Sequence, residues 1–319
     1  MQPQYKKILL VILLLALVLR LVHLEDKAFG TDENHSIDNS KKIFEQGLNS
    51  VDDYGNPPLF FYLLGLISMP FNSSLLSLKI SMLLLGLISI IFFYILTLKI
   101  FDPKTGLVAA FLLSVSPMHV LLSQHIRVYV LLTLVYLLAL FVFIKLRETK
   151  EKKYLILLFL IYVISIYLHY FSATFIIAQS LIFLIENRKN KKLLKQFFLF
   201  GSIALILLLP LVPFFLYQYN YMILQGNLLT VGKVTFKTAL YPIYKFSSML
   251  DISSTLKIKP YLIITAPLVF LSFLMGAMRS WKKDKEKTIF LLSNFFLPIL
   301  VLILLGLFFP IYSFRYLMF

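Results

Sequence analysis

Asp32 and Glu33 stand side by side at the head of a stretch with helical spacing, in which Ile37, Ser40/Lys41 and Phe44/Leu48 recur every three or four residues. A carboxylate held close to a membrane surface can take a proton from a hydroxyl or an amine, which is general-base chemistry. The pair also suits a plainer role: Thr31 or Asp32 is a natural N-cap for such a helix, with the neighbouring acids forming a solvated loop. Between Glu25 and Asp53 the chain carries eight acids and three lysines, more than half of its 15 carboxylates. Cysteine is absent, which removes disulfides, thiolate metal sites and thiol nucleophiles.

The elements that must hold these residues are membrane helices. Of 319 residues, 60% are hydrophobic and only 14% charged, and the mean hydropathy is +0.87; soluble domains carry roughly 25% charged residues. A span needs about 20 mostly apolar residues, and spans are expected at about 6–24, 75–98, 106–123, 128–146, 154–168, 170–186, 197–217, 261–279 and 288–309. The expected fold is all-α, a polytopic membrane protein of about nine transmembrane helices. Residues 57–69 are apolar but short and open with Pro57-Pro58, so they read as a re-entrant or interfacial helix. Residues 154–185 are uncharged and too long for one span, so they read as a helical hairpin turning at Leu168-His169-Tyr170-Phe171.

A formal charge of +16 would suggest a nucleic-acid partner in a soluble protein. Here 19 of the 31 basic residues fall in the loops at Lys6/Lys7, Lys99/Lys104, 145–153, 187–195 and 279–287, all on one side of the expected topology. The excess is therefore an orientation signal placing the N-terminus in the cytoplasm, and nucleic acid is excluded as a partner. The two long loops, 25–74 and 218–260, then lie outside, and the second, basic and Tyr-rich, is either a lip that attracts anionic headgroups or a solvated loop of mixed chemistry.

Four motifs stand in order along this frame. Asp32-Glu33 is followed by Asn56-Pro57-Pro58-Leu59 and Phe60-Phe61-Tyr62-Leu63. Next come Ser116-Pro117-Met118-His119 and Ser123-Gln124-His125-Ile126-Arg127-Val128-Tyr129, then Leu168-His169-Tyr170-Phe171, then Pro310 and Arg315-Tyr316-Leu317. Together they resemble the GT-C membrane glycosyltransferases. Within that group the chain is most similar to the dolichyl-phosphate-mannose protein mannosyltransferases and their bacterial aminoarabinose-transferase relatives.

The resemblance implies a GT-C module over residues 1–319, with juxtamembrane helices in the large first extracytoplasmic loop. It also implies a plasma-membrane enzyme whose active face is extracytoplasmic. The donor would be a sugar on a polyprenyl phosphate; the acceptor, a protein, a glycolipid or a cell-wall glycan. The reaction would be an inverting transfer with Asp32, beside Glu33, as base. Since the departing lipid phosphate is a stable anion, the site needs cations more than a second acid. Arg127, which also suits an interfacial anchor snorkelling to water, and Arg315 would be the cations for the donor phosphate, joined by His125 and Tyr129, while Asn56, His169 and Tyr170 would line the acceptor path. Arg20 is a third cation, read as structural, with Glu25 or Asp26 as its expected partner.

Relatives usually show Ser-Gln-Glu-Ala-Arg-Met-Tyr where this chain has His125-Ile126. Losing that acid disfavours a hard divalent ion, which prefers oxygen ligands, so no metal ligands are assigned. His125 then either binds phosphate when protonated or is a neutral histidine satisfied by backbone. Two other readings stay open: a catalytically inactive or truncated family member acting as a scaffold, which the ending at Phe319 would fit, and a lipid-linked sugar transporter.

Overall fold

The structure is a computed structural model that describes residues 2–22, 24, 31–47, 50, 56–71, 75–224 and 262–308. Every described element is a helix, and no strand occurs among the described residues. Five helical stretches are long and apolar enough to cross a membrane: Leu75–Ile100, Tyr129–Thr149, Tyr170–Asn187, Lys191–Asn220 and Lys285–Leu307. The protein is thus an all-α membrane protein.

Helix α1 (Pro3–Leu21) carries Lys6, Lys7 and Arg20 and otherwise exposes apolar residues such as Leu10, Val11 and Leu14. Helix α2 (Thr31–Gln46) follows. Asp32 and Glu33 lie inside its first turn, so neither is the N-cap; their charges instead face the positive end of the helix dipole. Helix α3 (Leu59–Ser68) is the short apolar segment expected to stay out of the bilayer, and it packs on α2. Phe44 of α2 stacks on Tyr62 of α3 with ring centroids 5.1 Å apart. Gly65 lets the two backbones approach, because a Cβ there would lie 2.9 Å from the Ser40 carbonyl and collide with the Phe44 ring.

Helix α4 (Leu75–Ile100) runs on to Asp102, whose Oδ1 accepts from Lys104 N and Thr105 N at 3.0 and 3.1 Å and caps α5 (Pro103–Val115). The span expected at 106–123 is broken. Pro117 has no N–H and pushes Ser116 out of the α region; Ser116 has ψ 115° and caps a separate short helix, α6 (Pro117–Leu122). After a non-helical stretch come α7 (Tyr129–Thr149), closed by Lys150 in the left-handed conformation, and α8 (Lys152–Leu168).

The break expected at 168–171 is present. His169 is extended, residues 170–172 form a 3-10 turn, and α9 (Ala173–Asn187) begins. Helix α10 (Lys191–Leu208) is followed at Pro210 by another 3-10 turn, and α11 (Val212–Leu224) continues from it. The last helices are α12 (Leu262–Lys283) and α13 (Lys285–Phe308), which contains Pro298.

The chain forms two compact units. The first, Met1–Ser172 with Lys195–Met222, holds the site. In it α4 packs on α1, α5 and α7, and α7 on α8. One core cluster joins Ile43, Phe60, Phe61, Leu78, Met82, Ile126 and Leu168; another joins Ile12, Ala16, Ile90, Tyr94, Leu107 and Ala110. The second unit, Ala173–Leu194 with Ile223–Met318, pairs α9 with α13, where Gln179 Nε2 donates to Asn294 Oδ1 at 3.4 Å, both residues being buried.

Candidate active site

The first turn of α2 meets the non-helical segment between α6 and α7. Because that segment has no helical ladder, side chains must satisfy its backbone. Glu33, buried, accepts the Ile126 N–H on Oε1 at 3.0 Å. Arg127 reaches back to α2: its Nη1 donates to the Asp32 carbonyl at 2.9 Å and to Ser36 Oγ at 3.0 Å, and its Nη2 lies 3.7 Å from Asp32 Oδ2. The Asp32 side chain stays 50% exposed while that of Arg127 is 14% exposed. One carboxylate is thus committed to holding the backbone, and the other is presented to the surroundings beside a fixed cation.

Tyr129 and His169 add an aromatic wall. Their ring centroids are 6.2 Å apart, and His169 is buried. Burial, and secondly the charge of Arg127, push the His169 pKa down to about 3, so the ring is neutral. Its Nδ1 accepts the Phe171 N–H at 3.2 Å, which occupies the nitrogen a general base would use. His125 sits half-buried on the same segment, and its carbonyl accepts the Arg127 N–H at 2.9 Å.

Tyr170 and Asn56 are brought together through a residue the sequence did not single out. Tyr170 Oη donates to Gln218 Oε1 at 2.9 Å, and Gln218 Nε2 donates to the Asn56 carbonyl at 3.0 Å. Asn56 therefore contributes its main chain to this link. Gln218 is buried on α11 with exposed Tyr217 and Tyr219 on either side, and the sequence offered only an amide set between two tyrosines at the end of an apolar run. Ser36 was missed as well; its only mark was its place one turn after Asp32. Arg315 lies outside the described residues, as do Glu25, Asp26 and most of the 218–260 loop. Among the described residues no three His, Asp or Glu side chains group as a metal ion requires.

Arg20 is fully buried, and its described partners are not carboxylates. It donates to Ser123 Oγ (3.2 Å) and to the carbonyls of Ala16 (2.9 Å) and Ser114 (3.1 Å), and its Nη2 lies 2.7 Å from His119 Nδ1. His119 Nε2 in turn meets Ser89 Oγ at 2.9 Å.

A family model of dolichyl-phosphate-mannose-protein mannosyltransferases matches residues 55–217, just over half the chain. The chain belongs to that family. It is a membrane glycosyltransferase by this membership, of a family that uses polyprenyl-phosphate sugar donors and glycan or protein acceptors. The mannosyltransferase match takes in Asn56, His125, Arg127, Tyr129, His169 and Tyr170, whereas Asp32 and Glu33 precede it and Gln218 lies just past its end. No curated protein and no solved structure matches the chain.

Proposed function

We propose that this mannosyltransferase-family protein transfers a sugar from a polyprenyl-phosphate donor to an acceptor at the extracytoplasmic face, with inversion and with Asp32 as base. The observation that carries the reading is the half-exposed Asp32 carboxylate 3.7 Å from an Arg127 guanidinium that two other contacts, to the Asp32 carbonyl and Ser36 Oγ, already hold in place. The acceptor hydroxyl gives its proton to Asp32, and its oxygen bonds to the anomeric carbon. The bond from that carbon to the phosphate oxygen breaks, and the lipid phosphate leaves with the electron pair, its charge met by Arg127. His125 and Tyr129 lie on the same segment and face that leaving group; Arg315 would add a further cation.

Inversion sets base and leaving group on opposite faces of the sugar. Inverting hydrolases space their two carboxyl groups about 6.5–9.5 Å apart, so the 3.7 Å pair belongs to the unloaded site. Donor binding takes Nη2 onto phosphate, while Nη1 keeps Ser36 and the Asp32 carbonyl. Asn56, Tyr170 and His169 would border the acceptor path beside the base. On this reading the chain crosses the plasma membrane several times, with a cytoplasmic N-terminus and outer loops at 25–74 and 218–260.

The test is to supply membranes holding the full chain with polyprenyl-phosphate mannose labelled in the sugar. The wild-type chain incorporates label into an acceptor, and Asp32→Asn lowers incorporation by about 10²–10⁴-fold. Undiminished incorporation by Asp32→Asn removes Asp32 as base; none by either protein removes this donor.

A further inference from the structure

The segment that carries Arg127 is pinned on two sides, and only one side is the site itself. On the far side Gln124, 3% exposed, spreads its amide over the end of α1: Nε2 donates to the carbonyls of Arg20 and Val22, both at 2.9 Å. These are carbonyls that a terminating helix leaves without helical partners, so one side chain closes α1 and anchors the loop. Arg20 repeats the tie one residue earlier through Ser123 Oγ. Gly86 of α4 backs this joint, since a Cβ there would fall on Ser123 Oγ and lie 3.4 Å from Arg20 Nε. From Gln124 to Arg127 the chain makes a tight turn, with Arg127 N bonded to the His125 carbonyl, so only three residues separate the anchored amide from the guanidinium.

We propose that Gln124 is a positioning residue: by bonding the last carbonyls of α1, and with Arg20 holding Ser123, it sets where Arg127 stands relative to Asp32. The proposal rests on the reading of Arg127 as the cation for the donor phosphate. It adds that α1, which gives no side chain to the reacting atoms, determines the register of the phosphate-binding segment. Gln124→Met keeps length and volume and loses both donated bonds; Gln124→Lys keeps a donor at similar reach.

Two measurements on the full chain in detergent or membranes test this. Hydrogen exchange is read first. Gln124→Met speeds exchange in the peptide over 123–128, Gln124→Lys restores most of the protection, and α4 and α7 are unchanged. An equal rise in α4 and α7 would make Gln124 a general support, and no rise at all would leave the segment held without it; either overturns the proposal. Transfer from labelled polyprenyl-phosphate mannose is read second. Gln124→Met raises the donor KM by on the order of 10–10²-fold with Arg127 present, and by less than about threefold when added to Arg127→Ala. The same fold-change in both backgrounds overturns the positioning role. Arg127→Ala with wild-type KM, or no transfer by any variant, overturns the underlying reading of the site, and the exchange result still decides what Gln124 holds.

Discussion

Glu33 on α2 and the main-chain N–H of Ile126 are joined by a 3.0 Å hydrogen bond that spans 93 positions of sequence. The carboxylate is 4% exposed and Ile126 is fully buried, so both halves of the bond are withdrawn from water. A bond from a charged acceptor to an otherwise unpaired buried N–H contributes about 1.5–3 kcal/mol. Its geometric effect matters as much, because Arg127 is the next residue.

Removing that acceptor and merely neutralising it have different outcomes. Glu33→Ala is expected to destabilise the protein by about 1–3 kcal/mol through the orphaned Ile126 N–H. Glu33→Gln, which keeps an acceptor oxygen, is expected to cost less than half as much. Thermal unfolding in detergent reads the difference, and equal losses would mean that the bond is not what Glu33 supplies.

Arg127→Lys keeps the charge and loses the fork. A lysine cannot hold Ser36 Oγ, the Asp32 carbonyl and a phosphate at once. The donor KM is expected to rise about tenfold or more, with the melting temperature changed by a few degrees at most. A wild-type KM in labelled-donor kinetics would contradict a role for the two-pronged guanidinium, one nitrogen held by α2 and the other on phosphate.

The helix contacts that glycine permits are equally specific. Gly65→Ala sets a methyl against the Ser40 carbonyl and the Phe44 ring, and overpacking of this kind costs typically about 1–3 kcal/mol. Its effect falls on the α2–α3 pair that presents Asp32. Faster hydrogen exchange in α2, with α4 and α7 unaltered, is the expected signature.

His169 makes stability depend on pH. Its pKa is lowered in the folded chain, to about 3, first by burial and then by Arg127, while an unfolded histidine titrates near 6.5. Between those values the unfolded state binds the extra proton, so stability rises with pH and is lost as pH falls below about 6.5, by about 1.4 kcal/mol per unit. Melting at pH 5 is expected well below that at pH 7.5. In His169→Gln the dependence flattens by the share this ring carries; an unchanged slope would show that the ring is not held neutral.

Composition and pattern were enough for the all-α membrane character, the short helix beginning near Pro57-Pro58 and the break at His169-Tyr170. Each follows from local chemistry: apolar length, proline and the spacing of charge. Proline also explains what the pattern obscured, since the apolar run at 106–123 reads as one span until Pro117 divides α5 from α6. The family was readable too, because short motifs in fixed order survive where overall composition is uninformative.

Which of these residues touch is another matter. Nothing local separates Asp32, half-exposed beside Arg127, from Glu33, buried on Ile126; the next position on a helix turns about 100°, and only packing against the 123–128 segment gave the two acids different surroundings. Arg20 is similar. Its nearest acids in sequence made a carboxylate partner the natural expectation, yet the described contacts are His119, Ser123 and two carbonyls, drawn from α1, α5, α6 and the turn after it. Sequence determined which groups are present and that they lie in a membrane frame. Their pairing was decided by tertiary structure, since hydrogen bonds act over about 3 Å and the partners stand some ninety to a hundred residues apart along the chain.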